Sequence, residues 1–367
     1  MSTAAPLFIL SQMSGPCISS LDPGLASCYN FHGMKISELG EFGLIDILAG
    51  MTYAVREGER EAWRQLLIGI GDDAAAWQGD GSVQLVTTDL LVEGVHFSLD
   101  TTSWDELGWR AMAANLSDIG AMGGSPRYAV VSLAMPGHTE VEDIVALYRG
   151  MIELAQKFGV AMIGGDTSSA AQLVINIALL GVAEGREILT RSAARPGERV
   201  AVTGLLGASA AGLEMLSKRL VFDAASNSAL REAFLKPYPR VVEGQVLVGQ
   251  GVRAAIDISD GLIADLGHIC RMSKVGARLE EDKVPVHPAV RANFGDRAMK
   301  LALSGGEDYE LIFTAGEEII DRVKAALSCP VTVIGEVVAD ESAGITLLDG
   351  EGRPVELTGT GWEHFTG

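Results

Sequence analysis

Residues 128–158 read YAVVSLAMPGHTEVEDIVALYRGMIELAQKF, and the fold class follows from this stretch. Tyr128 to Met135 is an apolar run of strand length with apolar residues on both faces, which suits a sheet covered on both sides. Pro136-Gly137 then breaks the run. From Val141 to Phe158 the period becomes helical, and Ile144, Leu147, Tyr148, Met151, Leu154 and Phe158 fall on one stripe. A strand followed by an amphipathic helix is the unit of an α/β arrangement.

The same alternation continues on either side. Upstream, Val83 to Thr88 is β-rich, and Asp105 to Met122 carries a helical stripe of Trp109, Met112 and Leu116. Downstream, Gln172 to Ala183 reads as a long strand. After the Pro196-Gly197 turn a second set begins. It contains strands Arg199–Thr203, Arg253–Ile258, Tyr309–Thr314 and Val331–Val337, with helices near 207–219, 240–250, Leu262–Met272 and 317–327. Both halves are therefore α/β or α+β, and the break between them is expected within 185–197. The expected domains are 34–190 and 191–367. Residues 1–33 precede them, lack periodicity and hold no Lys or Arg, so neither a secretory n-region nor an Arg-rich transit peptide is present. They are expected to be a poorly ordered extension, with Met34 as an alternative start.

Composition narrows the function. With 48 acidic and 28 basic side chains the net charge is −20, which argues against a nucleic-acid binder, since that affinity depends on Lys and Arg. Apolar residues make up 48% of the chain, enough for a real core, yet no apolar run approaches the roughly 18 residues of a membrane span. Cys17, Cys28, Cys270 and Cys329 are scattered; a zinc site or disulfide scaffold is not expected, and reduced thiols fit the cytoplasm. Glycine is the unusual count, 44 of 367 residues, about 12% against a usual ~7%.

Much of that glycine sits beside acids. Gly71-Asp72-Asp73-Ala74, Thr87-Thr88-Asp89, Asn115-Leu116-Ser117-Asp118, Gly164-Gly165-Asp166-Thr167 and Asp257-Ile258-Ser259-Asp260-Gly261 each place a carboxylate at an expected strand end, turn or helix end. Hard cations such as Mg²⁺ take carboxylate and hydroxyl oxygens together with substrate phosphates, and glycine lets backbone N–H groups approach a phosphate closely. Singly, each segment reads as a cap or turn, as Asp105 and Asp143 do at helix starts. Converged without cations, each like-charged pair at 4 Å would cost about 4 kcal/mol at an effective dielectric of 20. The chain has no Walker loop, no Gly-x-Gly-x-x-Gly after a strand, no protein-kinase signature and no Gly-x-Ser-x-Gly elbow. Any nucleotide chemistry must use another, metal-rich site.

These segments also occur in a familiar order. Gly69-Ile70-Gly71-Asp72-Asp73-Ala74 is followed by Thr87-Thr88-Asp89 with Gly94-Val95-His96-Phe97, then Asn115-Leu116-Ser117-Asp118, Ile163-Gly164-Gly165-Asp166-Thr167 and Leu189-Thr190-Arg191-Ser192. Asp257-Ile258-Ser259-Asp260-Gly261-Leu262, Ser304-Gly305-Gly306-Glu307-Asp308-Tyr309-Glu310 and Gly361-Trp362-Glu363-His364-Phe365 complete the set. From about Ser37 to Phe365 the chain closely resembles the thiamine-monophosphate kinases of the aminoimidazole-ribonucleotide synthetase superfamily. The resemblance implies a two-domain synthetase-like fold: an N-terminal α/β domain whose sheet forms a barrel with that of a second subunit, a C-terminal α+β domain, and an active site in the cleft between them. It implies a homodimer acting on ATP and thiamine monophosphate with several Mg²⁺ ions. By motif position the metal ligands would be Asp73, Thr87, Thr88, Asp89, Asp118, Asp166, Asp257 and Asp260, with Asp89, Asp118 and Asp166 closest to the chemistry. Gly165, Arg191 and Ser259 would contact ATP, and His96, Glu307 and Trp362 the thiamine phosphate.

The implied reaction is in-line phosphoryl transfer from ATP to an acceptor that is itself a phosphate, giving thiamine diphosphate without a phospho-enzyme. The acceptor oxygen is already ionised near neutral pH, so positioning and charge neutralisation outweigh general-base catalysis. A selenophosphate synthetase would need a reactive cysteine in an N-terminal Gly-Cys-Gly context, and the hydrogenase-maturation relative a C-terminal cysteine; the chain has neither. A non-catalytic metal or nucleotide sensor would have no need of so many acidic ligands.

Overall fold

Period-two alternation builds the first sheet of the computed structural model, which describes residues 65–355 except 80, 184, 186 and 341–343. The 1–33 extension and Trp362 lie outside the described residues. The sheet contains β1 (Leu66–Ile68), β2 (Ala75–Gln78), β3 (Val83–Val92), β4 (Ser125–Met135), β5 (Ala161–Ser169) and β6 (Val174–Ala183), in the order β1-β2-β3-β6-β4-β5. It is antiparallel except for the β4–β5 pair. Along β6, Ile175, Ile177 and Leu179 are buried and the residues between them are half-buried. In β4, Ala129, Val131 and Leu133 are buried while Tyr128 is half exposed. Within the single chain one face of the sheet is packed, the other is partly open, and the sheet is not closed into a barrel.

The packed face lies under α1 (Trp104–Ala121) and α2 (Val141–Lys157), which contribute Leu107, Met112, Leu116, Leu147, Met151 and Leu154 to a core shared with Leu85, Val131 and Ile177. Ser103 caps α1 in a capping box with Glu106. Asp105 and Asp143, expected as caps, instead sit in the first turns of α1 and α2, where their charge faces the positive helix end. The two helices meet at backbone distance. A Cβ on Gly150 would lie 1.8 Å from the Asp105 carbonyl oxygen, and one on Gly108 would lie 1.9 Å from that of Leu147.

The second sheet contains β7 (Arg199–Thr203), β8 (Ala254–Asp257), β9 (Gly276–Glu280), β10 (Leu311–Ala315), β11 (Val331–Val338), β12 (Ile345–Leu348) and β13 (Pro354–Val355), in the order β13-β12-β9-β11-β7-β10-β8. Around it run α3 (Ala208–Ser217), α4 (Ala224–Leu235), α5 (Val241–Gln250), α6 (Leu262–Ser273), α7 (Pro288–Phe294), α8 (Ala298–Ser304) and α9 (Glu317–Ala326). Its central strands are covered on both sides. Val200, Val202, Ile256 and Ile312 face a core with Leu262 and Leu266, whereas Ala201, Ala255 and Phe313 face one with Leu247, Ile320 and Val323. The expected strand from Tyr309 begins only at Leu311, because Glu307 and Tyr309 both adopt left-handed backbone, φ 63° and 49°.

The α1–α2 contact leaves no room for a methyl group, and the atoms it would strike are backbone. Gly150→Ala should destabilise the protein by about 1–3 kcal/mol through forced helix separation, read as a melting temperature several degrees below the parent. An unchanged melting curve would show that the helices do not pack this closely.

Candidate active site

Asp257 is the last residue of β8, and after it the chain turns through Ser259, Asp260 and Gly261 into α6. Gly261 takes φ 123°, a conformation open to glycine. Asp265, buried in the first turn of α6, folds back to brace this turn: its Oδ2 accepts the N–H groups of Ser259, Asp260 and Gly261 at 3.1, 3.1 and 3.0 Å. Asp118 comes from the last turn of α1, and Asp73 from the loop between β1 and β2. One carboxylate oxygen from each of Asp73, Asp118 and Asp257 lies within 4.8 Å of the other two. The two halves of the chain thus bring three of the expected acids to one point.

The surrounding polar groups respond to that crowding. Thr87 donates its hydroxyl to Asp118 Oδ2, and Ser117 donates to Asp257 Oδ2 at 2.6 Å. Arg191 grips Asp73 through Nη2 (2.7 Å) and Nε (3.3 Å), while its backbone N–H reaches Asp72 Oδ2 at 3.1 Å. Burial, then the neighbouring Asp89, Asp257 and Asp73 carboxylates, hold Asp118 well above the usual carboxylate range. Burial and Asp73 do the same to Asp257. Asp72 is pushed up to about 7 by burial and Asp73, against the pull of Arg191. Asp89 is pushed up to about 6 by burial and by Asp260, and its Oδ2 is buried without a hydrogen-bond partner. A donor set made only of oxygens, crowded with like charge and holding an unpartnered carboxylate oxygen, fits a hard divalent cation.

A second group lies on the other side of Ser259. Glu307 donates its N–H to the Ser259 carbonyl at 2.8 Å, and its Oε1 accepts from Arg110 Nη2 at 2.6 Å. Arg110 Nη2 also approaches the His96 carbonyl oxygen at 3.5 Å, and His96 Nδ1 accepts the Val92 N–H at 3.0 Å. His96 and Glu307, expected together, are thus linked through one guanidinium.

Other expected residues stand apart. Thr87 and Asp89 share one face of β3, so Thr88 turns to the opposite face; there it is exposed and accepts from Asn176 Nδ2 at 2.9 Å. Gly165 and Asp166 lie on the exposed edge strand β5, three strands from β3. The Asp166 carboxylate accepts the Thr167 N–H at 2.9 Å. Gly165 lies against β4, where a Cβ would come within 1.9 Å of the Val131 carbonyl oxygen. Sequence reasoning quoted Asp72 within its motif without giving it a role, and missed Arg110, Asp265 and His268. The last joins Asp260 and Asp265 in a second close group and is pushed down to about 3 by burial and by Arg191 and Arg271. An arginine inside the apolar Trp109–Met112 stripe was the one sequence signal for Arg110.

Comparison with known proteins matches the same segments. The AIR synthase related protein N-terminal domain matches residues 71–183, and the corresponding C-terminal domain matches 195–347. Thiamine-monophosphate kinase of Bacillus subtilis (strain 168) is 38% identical over 311 residues, which is 81% of this chain and 93% of that protein. The enzyme of the same name from Escherichia coli (strain K12) is 38% identical over 304 residues, 81% and 92% of the two chains. A solved structure described as "AaThiL complexed with AMPPCP and TMP" superposes with a TM-score of 0.78 at 33% identity, covering 90% of this chain and 99% of the other.

The acidic cluster makes a stability prediction with a definite sign. Asp89 titrates near 3.8 when unfolded and near 6 in the fold. The folded state therefore binds more protons between these values, and the contribution to stability falls as pH rises through that window. In EDTA, Asp89→Asn should raise the melting temperature by several degrees at pH 8 and move it by less than about 1 °C at pH 4, since ~1 kcal/mol corresponds to a few degrees. A variant no more stable than the parent at pH 8 would show that the carboxylate is not strained by burial.

Proposed function

Because this chain belongs to the AIR synthase related family and, within it, to the thiamine-monophosphate kinases, we infer that its acidic junction is the site of ATP-dependent phosphorylation of thiamine monophosphate to thiamine diphosphate. ATP is the co-substrate. The observation that carries the reading is the convergence of Asp73, Asp118 and Asp257, from both halves of the chain, beside Arg191 and the unpartnered oxygen of Asp89.

The finer assignment is a proposal. Asp73, Thr87, Asp89, Asp118, Asp257 and Asp260 hold Mg²⁺, which when bound supplies the positive charge that lets two phosphate-bearing reactants meet. Arg191 turns its guanidinium to the nucleotide, and Ser259 offers a hydroxyl beside it. Asp265 keeps the 259–261 turn rigid, which fixes the direction of Asp260. His96 and Glu307 receive the acceptor, and Trp362 closes over the thiazolium ring by a cation–π contact. Direct transfer needs no strong base here, since the acceptor oxygen is already ionised. Thr88, Gly165 and Asp166 do not fit this arrangement within one chain: three strand spacings of roughly 4.8 Å separate β5 from β3. We place the contribution of Gly165 and Asp166 at the site of a second subunit, in a homodimer whose partly open first sheets pair into a barrel. The domains are proposed as 34–190 and 191–367. No helix among the described residues is long and apolar enough to cross a membrane, and the unpaired Cys270 and Cys329 fit the cytoplasm.

Incubation with thiamine monophosphate, ATP and Mg²⁺ should yield thiamine diphosphate; EDTA should abolish the product and excess Mg²⁺ restore it. Asp89→Asn and Asp118→Asn should each lower kcat by roughly 10²-fold or more with the fold intact, and full activity in either would remove that residue from the site. Light scattering at micromolar concentration should give twice the chain mass; a monomeric mass would refute the shared barrel.

A further inference from the structure

The geometry points to Arg110 as the positioning residue of the acceptor side: it fixes the Glu307 carboxylate against the His96 turn, so that binding of thiamine monophosphate, and not of ATP, depends on it. This rests on the functional reading above and adds to it a residue outside the acidic motifs.

Arg110 is 3% exposed, in the middle of α1. A buried guanidinium stays charged, so it must be compensated inside the protein. Glu307 Oε1 does this at 2.6 Å, and the Phe234 ring lies 4.3 Å from the guanidinium carbon. The same Nη2 nears the His96 carbonyl oxygen. Nη1 is buried with no hydrogen-bond partner. The fold therefore tolerates an unmet donor in order to keep this cation under Glu307, and such a group calls for an explanation outside simple packing.

Glu307 explains it. Its backbone is left-handed, φ 63°, a conformation that a non-glycine residue holds only where its surroundings impose it. Its N–H is tied to Ser259, at the metal end of the site. Its side chain keeps 30% of its surface exposed, so one edge of the carboxylate faces outward while Arg110 holds the other. A carboxylate suits the cationic ring of the acceptor but repels the acceptor's phosphate. Arg110 cancels part of that repulsion and restricts the carboxylate to one rotamer. Lysine would keep the charge and lose the planar fork.

Steady-state kinetics and thiamine monophosphate calorimetry on the full chain test this. Arg110→Met should raise KM and Kd for thiamine monophosphate about 10-fold or more, with KM for ATP within about 2-fold of the parent. Arg110→Lys should fall between the two, and serves as the test if the Met variant does not fold. In a Glu307→Gln background, Arg110→Met should add no further loss, because it acts through that carboxylate; a merely structural role would add its full effect. Unchanged affinity for thiamine monophosphate in both Arg110 variants, a parallel rise in both KM values, or additivity in the double variant would each overturn the assignment. A parent protein that forms no thiamine diphosphate would overturn the functional reading, and this inference with it.

Discussion

Mutual repulsion among buried carboxylates organises this molecule. Asp73, Asp118 and Asp257 approach one another closely enough that each charged pair costs about 4 kcal/mol at 4 Å and a dielectric of 20. Packing does not remove that cost, so the chain distributes it. Thr87 and Ser117 spend their hydroxyl protons on Asp118 and Asp257, and Arg191 takes both oxygens of Asp73. What is left appears as proton affinity, with Asp72, Asp89, Asp118 and Asp257 all raised by burial and then by a neighbouring carboxylate, Asp73 or Asp260 among them. On the reading proposed above, divalent cations would offset this repulsion, and removing any single acid would relieve strain at the expense of function.

The run 307–310 shows how the second half supports this arrangement. Four consecutive residues include three acids, and each acid has a separate task. Glu307 pairs with Arg110. Asp308 accepts the N–H groups of Gly207 and Ser209 at the start of α3, at 2.7 and 3.2 Å, and burial pushes it up to about 7. Glu310 takes Arg240 in a two-point grip and the Thr203 hydroxyl at 2.6 Å. A regular strand would send Glu307 and Tyr309 to one face and Asp308 and Glu310 to the other. The left-handed turns at Glu307 and Tyr309 break that alternation and let the acids diverge.

Legibility in the sequence follows the range of the interaction responsible. Where apolar periodicity decides, the reading succeeded: Arg199–Thr203 is a strand with those limits, and α2 and α6 differ by a residue or so from the expected helices. Short elements placed by tertiary contact were missed, among them α7, α8, β9 and β12. α4 was missed as well, although Asp223 caps it by accepting the Ser226 N–H at 3.0 Å, because its apolar residues Leu230, Phe234 and Leu235 gather at one end. Strand β5 was missed too, its Gly164-Gly165-Asp166-Thr167 standing only as an acid-bearing segment, since glycine and serine carry little strand propensity. The acids were visible as motifs; that Asp73, Asp118 and Asp257 meet while Asp166 stands apart depends on strand order, which no local pattern encodes.

Helix α1 ties these observations together. It presents Arg110 near its middle and Ser117 and Asp118 in its final turns, seven to eight residues later. At 1.5 Å per residue that spacing is about 11–12 Å along the axis, roughly two helical turns, so Arg110 and Ser117 project near the same side, with Asp118 about a quarter-turn away. The distance between the Glu307 end and the carboxylate cluster is therefore set by a rigid rod and not by a loop. Gly108 and Gly150 seat that rod against α2 at backbone contact, and Gly120, facing the start of α5, leaves a Cβ only 3.0 Å from the Val241 Cα. A reaction limited by alignment of two phosphate groups benefits most from such a fixed spacing. Glycines that carry no charge themselves thereby govern the geometry in which the charges act.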